Sequence, residues 1–415
     1  YLCGSPTISD MNDSLLYQAY GVKDYSYAST EYKGNAIYLH LKTNSPKRCI
    51  CPHCGGHHVI KYGIVKRTLH NLPFGSKPCY LSLQIQRYCC KDCGSAWQSE
   101  IPFTHGEVSY TYRFSRYVLD LLRMGNTIKD VSRHLRVGWN MVKDIHKKYL
   151  KSRYSRPDIR NVRRIGIDEF ATNKGHVYKT IVVDLDTGRI IHVGEGKGKD
   201  ALEGFWKRVR RNKAKIEIVT SDLSAAFIAS VMENAPDAVH VYDKFHVVKL
   251  VNEAVDTVRR YVYAQETDLE KRKIIKGSRW LLLTKDKDVF DEDKKRRLDN
   301  ILQTNTPLFH AYYLKEDLDQ IWMQKSKEEG EKQLCYWCER ARETKLIPFI
   351  KVANTLMAKR TGILAWYEAH VTNATLEGIN NKIKVMKRKA YGFRDDEYFK
   401  LILLGLKDST NAIRG

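Results

Sequence analysis

The sequence predicts an α/β core preceded by two small modules, and three observations carry that prediction. Between residues 161 and 250, three strand-like runs are followed by helix, strand, helix and strand. Eight of the ten cysteines fall before residue 94, four of them in two C-x-x-C pairs. Between these regions, residues 105–158 are basic and helical in pattern.

A chain of 415 residues is longer than one core normally fills, so several domains are expected. Lys and Arg number 71 against 48 Asp and Glu, a formal charge of +23. Such a surface attracts polyanions, nucleic acid first and an anionic membrane surface second. No run approaches the roughly 18 apolar residues of a membrane span, and no signal peptide is read. A cytoplasmic protein is expected, with reduced thiols, so clustered cysteines read as metal ligands. The first residue is Tyr1 rather than Met, and the extreme N-terminus is read as missing.

Six segments follow from these patterns. They are a lead-in (1–46), a cysteine-rich module (47–104), a helical basic module (105–158), an α/β core (159–251), a charged helical stretch (252–370) and a C-terminal helical part (371–415). Within 252–370, helices are expected at 269–275, 294–302 and 314–328. The charge run 285–297 reads as a solvated face.

The pairs Cys51-Pro52-His53-Cys54-Gly55 and Cys90-Lys91-Asp92-Cys93-Gly94 are knuckles, each closed by glycine. Each turns two thiolates toward one ion, and two knuckles joined by strands make a four-thiolate zinc ribbon with one structural Zn2+. Cys49, Cys79, Cys89, His53, His57 and His58 are spare candidates. Cys335-Tyr336-Trp337-Cys338 lacks the glycine and a partner pair, and reads as helix core.

Residues 127–146 fit a helix-turn-helix. Thr127 and Asp130 form a capping box, Val131, Leu135, Val142 and Ile145 face inward, and Gly138 lies near the turn. That leaves Trp139, Asn140 and Lys143 at the exposed start of a recognition helix, where base edges are reached. A plain helical hairpin has the same pattern; the charge and the neighbouring ribbon favour the DNA-reading alternative.

In the core, strands are expected at 164–171, 177–184, 189–194, 215–220 and 238–242, with helices at 201–211 and 225–233. This is the order of a ribonuclease-H-like fold, in which the first and fourth strands are neighbours. Asp168 and Asp222 would then meet, and a bound cation relieves their repulsion. With Glu377 from a late helix, such carboxylates can hold hard divalent cations for phosphodiester chemistry. Rival carboxylates are Glu169, Asp184, Asp186, Asp200 and Asp243. Asp184 and Asp186 look like hairpin-turn residues, and Glu169 points away from Asp168 in a regular strand. Asp243 also ends a strand and stays open.

Taken together, these motifs resemble bacterial insertion-sequence transposases of the IS-L-three type, which carry a DDE catalytic core. The resemblance spans about 47–407. Beyond the knuckles it rests on Arg87-Tyr88, on Gly166-Ile167-Asp168-Glu169-Phe170 and on Ser221-Asp222-Leu223-Ser224. It continues in Asp243-Lys244-Phe245-His246, in Thr372-Asn373-Ala374-Thr375-Leu376-Glu377-Gly378-Ile379-Asn380-Asn381, and in Arg388-Lys389-Ala390-Tyr391-Gly392-Phe393-Arg394. It implies an α/β ribonuclease-H-like core with a large helical insertion (252–370), after a zinc ribbon and a helix-turn-helix. It maps the catalytic carboxylates to Asp168, Asp222 and Glu377, holding two Mg2+ (or Mn2+) ions.

Three further expectations follow, two from the resemblance and the last from helical spacing. The N-terminal modules read the element's terminal inverted repeats, and the core cleaves the ends and joins them to target DNA. The enzyme acts on double-stranded DNA as a homodimer or higher oligomer, associated with the bacterial nucleoid. On the Glu377 helix, Asn381, Lys384 and Arg388 share a face and are expected to contact phosphates. Two alternatives remain: a non-catalytic repressor or domesticated relative, and a structure-selective nuclease on the same fold.

Overall fold

The computed structural model describes residues 15–44, 49–173, 177–288, 291–371, 374–390 and 392–408. Thr372, Asn373 and Tyr391 of the motifs above, Lys47 and Arg48 at the start of the ribbon, residues 1–14 and 45–46 of the lead-in, and 289–290 of the charge run lie outside them. The chain divides into two compact units, Tyr1–Arg153 with Asp408–Gly415, and Tyr154–Lys407.

In the first unit, α1 (Leu15–Tyr20) is followed by β1 (Tyr25–Lys33), β2 (Ala36–Thr43), β3 (Val59–Phe74), β4 (Lys77–Cys90) and β5 (Ala96–Gln98). They form one sheet in the order β1-β2-β4-β3, with β5 also on β4. The pleat of β4 turns Cys79, Leu81, Leu83 and Ile85 into a core shared with Leu41 and Leu69. Because β2 pairs in parallel with β4, part of the lead-in shares the sheet of the cysteine-rich module.

Helices α2 (Tyr112–Arg123), α3 (Ile128–Leu135) and α4 (Trp139–Tyr154) enclose Phe114, Val118, Val131, Leu135, Val142 and Ile145. The capping box forms: Thr127 Oγ1 accepts from the Asp130 N–H, and the Asp130 side chain accepts from the Thr127 N–H. The turn is made by Arg136 in the left-handed region, φ 53°, two residues before Gly138.

In the second unit, β6 (Arg164–Asn173), β7 (Val177–Asp184) and β8 (Arg189–Glu195) are antiparallel. β9 (Ile218–Ser221) runs parallel to β6, and β10 (Val239–Tyr242) parallel to β9, giving the order β10-β9-β6-β7-β8. This is the ribonuclease-H-like arrangement. α5 (Glu203–Asn212) and α6 (Ala225–Asn234) cover one face, seating Phe205, Trp206, Val209, Phe227 and Val231 on Ile165, Ile167, Val182, Ile191 and Val219. The helix expected from 201 opens as a 3-10 turn, Lys199–Leu202, and the strand expected from 215 begins at Ile218.

The helical block starts directly after β10. It comprises α7 (Lys244–Gln265), α8 (Leu269–Gly277), α9 (Arg279–Leu283), α10 (Glu292–Thr304), α11 (Thr306–Asp317), α12 (Lys327–Glu343), α13 (Ile347–Ala358), α14 (Arg360–Leu364) and α15 (Trp366–Ala369). These helices build their own core, including Val251, Val255, Leu308, Ile321, Leu334, Trp337, Phe349 and Leu356. The single helix expected over 314–328 does not form. α11 stops at Asp317, a 3-10 turn follows, and Ser326 starts α12 by accepting from the Glu329 N–H. Cys338 on α12 is buried in this core with its thiol 3.6 Å from the Ala353 carbonyl, so this C-x-x-C is structural.

The opposite face of the sheet is covered by α16 (Ala374–Ala390) and α17 (Asp396–Leu404). Leu376, Ile379 and Ile383 are the apolar stripe of α16, packed on Ile181, Val183 and Ile190. Gly166 of β6 makes room for it. A Cβ there would lie 2.8 and 2.9 Å from the two Leu376 methyl carbons and 3.0 Å from Leu185 Cδ2. Gly166→Val is therefore expected to lift α16 from the sheet and cost about 1–3 kcal/mol, read as a lower melting temperature.

Candidate active site and metal centre

The two knuckles converge at the open end of the β3–β4 hairpin, where Val59 pairs with Cys90. Each is closed the same way: the Gly55 N–H donates to the Cys51 carbonyl and the Gly94 N–H to the Cys90 carbonyl, both at 3.0 Å. Both glycines are left-handed, φ 72° and 71°. Cys51 and Cys93 Sγ are 3.7 Å apart, Cys54 and Cys90 Sγ 3.6 Å, and all four lie within 4.8 Å of one another. A tetrahedral Zn2+ with Zn–S bonds of ~2.3 Å requires S···S separations of about 3.8 Å, so the donor set fits zinc. The Ser95 hydroxyl and backbone N–H bring the Cys93 thiol down to about 6, while Cys54 is pushed up, against the Gly56 N–H, by the crowded neighbouring thiols.

Three of the spare candidates are otherwise engaged. Cys79 is buried in the sheet core, and the Cys89 thiol faces the Cys90 and Gly94 carbonyls. His58 Nδ1 binds Asp92 Oδ1 at 2.7 Å and ties one knuckle to the other.

In the second unit, the last residues paired between β6 and β9 are Gly166 and Thr220. Asp168, within β6, and Asp222, the residue after β9, each stand two residues beyond that pair. Their period-two positions share a face with Gly166, the face that carries α16. Burial pushes the Asp168 carboxyl above the usual carboxylate range. The Asn380 amide and the Glu169 N–H pull it back, and the Asp222 charge adds to the rise. Asn380 Nδ2 donates to Asp168 Oδ2 at 2.5 Å, and the Glu169 N–H donates to Oδ1 at 2.7 Å. Asp222 Oδ1 accepts from the Ser224 N–H at 3.0 Å.

Glu377 is exposed on α16, three residues before Asn380. Packing of Leu376, Ile379 and Ile383 sets the rotation of the helix, so Asn380 rather than Glu377 meets Asp168. The three carboxylates do not close into one cluster. Among the described residues, the four cysteines are the only such set of His, Cys, Asp or Glu side chains.

Asp243 caps α7: Oδ1 accepts from the Phe245 N–H at 2.9 Å, and Oδ2 lies 2.9 Å from His246 Nδ1. That bond raises the His246 pKa against the effect of burial, and the charges of Asp222 and Asp168 raise it further. His246 thus belongs to the electrostatic surroundings of the carboxylate pair, with Asp243 as its support. Glu169, set aside on strand geometry, also feels the site: burial raises its pKa, then the Asp222 charge, with Lys197 opposing. From the helical block, Lys359 Nζ donates to the Leu223 carbonyl at 2.8 Å, next to Asp222. The hairpin-turn reading of Asp184 agrees with its bonds to the Asp186 N–H and the Thr187 hydroxyl.

Asn381, Lys384 and Arg388 are exposed along one face of α16. Lys387 instead donates to the Ala171 carbonyl of β6. In the first unit, Trp139 is 47% exposed at the start of α4, Asn140 is exposed, and Lys143 Nζ lies 5.7 Å from the Trp139 ring centroid. Asn380, His246, Glu169 and Lys359 are the residues that sequence reasoning left without a part in the site. Glu169, His246 and Asn380 each lie within a motif of the family resemblance, which was the available signal; Lys359 had none.

Comparison with known proteins shows the family. A family model described as "Transposase" matches residues 165–403, and one described as "zinc-finger of transposase IS204/IS1001/IS1096/IS1165" matches residues 47–93. The chain is 32% identical to the transposase for insertion sequence element IS1001 of Bordetella parapertussis, over 92% of this chain and 94% of that protein. It is 28% identical to the transposase for insertion sequence element IS1557 of Mycobacterium tuberculosis, over 85% of each. The solved Drosophila P element transposase strand transfer complex is similar with a TM-score of 0.40 at 11% identity, over 72% of this chain and 93% of that one. No helix among the described residues is long and apolar enough to cross a membrane. With a ribonuclease-H-like sheet, a four-cysteine ribbon and a family match over more than half its length, the chain belongs to the IS-L-three family of transposases.

Proposed function

We propose that this protein binds the terminal inverted repeats of an insertion sequence and performs metal-dependent cleavage and joining of its ends. The observation that carries the reading is the matched placement of Asp168 and Asp222, each two residues past the last pairing of adjacent parallel strands. Asp168, Asp222 and Glu377 are the residues that would hold the divalent cations. An orphaned acceptor beside Asp168, Asn380 Oδ1, supports the fit of a cation there. When bound, Mg2+ or Mn2+ would acidify an attacking water and stabilise the leaving 3′ oxygen.

The chain's own residues position and neutralise. Asn380 and the Glu169 N–H fix the two oxygens of Asp168. Lys359 holds the carbonyl that follows Asp222. Asn381, Lys384 and Arg388 offer a polar, cationic row to phosphates near the scissile bond. The ribbon keeps one structural Zn2+, and the α4 face with Trp139, Asn140 and Lys143 reads the ends. Two ends must be held together for joining, so the active form is a homodimer or higher oligomer on double-stranded DNA.

The test is an assay with labelled element ends, target DNA and Mg2+. End cleavage followed by joining supports the proposal; cleavage of branched DNA without sequence preference assigns a nuclease instead. The binding residues make separable predictions. Asn140→Ala should lose about 1–3 kcal/mol on the cognate end and relax its sequence preference. Lys384→Ala and Arg388→Ala should weaken binding evenly across sequences, each lowering the salt slope by about 1, in titrations at several salt concentrations.

A further inference from the structure

Two facts about one side chain stand outside the three-carboxylate scheme. Asn380 is the α16 residue that touches Asp168, through Nδ2 to Oδ2 at 2.5 Å. Its other polar atom, Oδ1, is buried and has no hydrogen-bond partner. A buried acceptor without a donor is costly, so such an atom calls for a ligand. A carboxamide oxygen is a hard donor of the kind that binds Mg2+ and Mn2+ beside carboxylates.

The placement of Asn380 is not adjustable. Leu376, Ile379 and Ile383 lock the face of α16 onto the sheet, and Gly166 admits Leu376 at close range. Further along the helix, Lys387 binds the Ala171 carbonyl, so α16 follows β6 from Asp168 onward. Asn380 is therefore presented to Asp168 by the scaffold rather than by a free rotamer on the surface. Glu377 lies about 60° round the helix from it and is exposed.

We propose that Asn380 is a fourth residue of the reaction centre, positioning Asp168 through Nδ2 and giving the divalent cation an oxygen ligand through Oδ1. This rests on the reading of Asp168 as a metal ligand. Asn380 would thereby link the α16 helix to the β6 carboxylate through one side chain, leaving Glu377 free to approach from the open side of the helix.

The experiment is Mn2+ binding to the full-length, zinc-loaded, DNA-free protein by calorimetry, comparing wild type with Asn380→Ala, Asn380→Asp and Asp168→Asn. Asn380→Ala is expected to weaken Mn2+ binding about 10-fold or more. Asn380→Asp keeps an oxygen at the same reach and is expected to bind Mn2+ within a few-fold of wild type. Melting temperature is measured alongside, so that a misfolded alanine variant is recognised and the aspartate variant decides. If Asn380→Ala binds Mn2+ as wild type does while Asp168→Asn does not, the proposal is overturned and the carboxylate reading stands. Loss of binding in a folded Asn380→Asp also overturns the ligand assignment. If Asp168→Asn binds Mn2+ unchanged, the carboxylate reading fails and takes this proposal with it.

Discussion

Asp168→Asn and Asp222→Asn will each abolish end cleavage and joining while leaving affinity for the DNA ends intact. On the proposed reading each removes a charged oxygen ligand from a site whose chemistry is electrostatic, a loss of several kcal/mol in the barrier, or ~10³-fold or more in rate. Glu377→Gln is expected to behave alike. The measurement is the strand-transfer assay with a parallel binding titration.

The structure adds an opposite effect on stability. Asp168 has its pKa raised in the folded protein by burial and by Asp222. Folding therefore disfavours its anion. In metal-free protein that penalty is present at neutral pH and is relieved as pH falls through the raised value. Asp168→Asn should accordingly raise the metal-free melting temperature at neutral pH while removing activity. Asp243→Asn is the discriminating control: Asp243 is occupied as cap and as the support of His246. Asparagine caps a helix as well as aspartate does, so the variant should keep its fold and leave measurable activity. Full activity in Asp222→Asn with none in Asp243→Asn would reassign the second ligand.

Removing zinc is expected to have the largest effect on folding. The four thiols lie where β3 and β4 end, and the sheet's apolar core is carried by Leu41, Leu69, Leu81, Leu83 and Ile85. Structural zinc contributes on the order of 10 kcal/mol to such small sites. Chelation or Cys51→Ser should thus unfold the knuckles and the short β5 pairing while the sheet core persists. Hydrogen exchange should show lost protection around 51–60 and 87–98, together with weaker binding of DNA ends. Cys89→Ser and Cys79→Ser should keep one zinc per chain. A zinc content well under one per chain in the wild type would refute the ribbon assignment.

What was legible depended on how local the signal is. The knuckles could be read because ligand spacing and a closing glycine are short-range requirements. The capping box at Thr127 and Asp130 was equally local and formed as read. The order of the core elements could be read because period-two and helical runs alternate clearly there. Reading was least accurate where capping competes with apolar periodicity, as at Ser326, which splits the run 314–328.

The sequence by itself determined the element order, the four-cysteine cluster and the capped two-helix module, and it singled out Asp168 and Asp222 on neighbouring segments of the core. Family resemblance, itself carried by sequence motifs, tied Glu377 to that pair. Only the tertiary structure decided which residue of α16 faces Asp168, because the rotation of a helix is fixed by packing of its buried stripe on a distant sheet. That packing turned Asn380 inward and left Glu377 and Asn381 exposed. The packing of the helical block likewise brings His246 and Lys359 to the surroundings of Asp222.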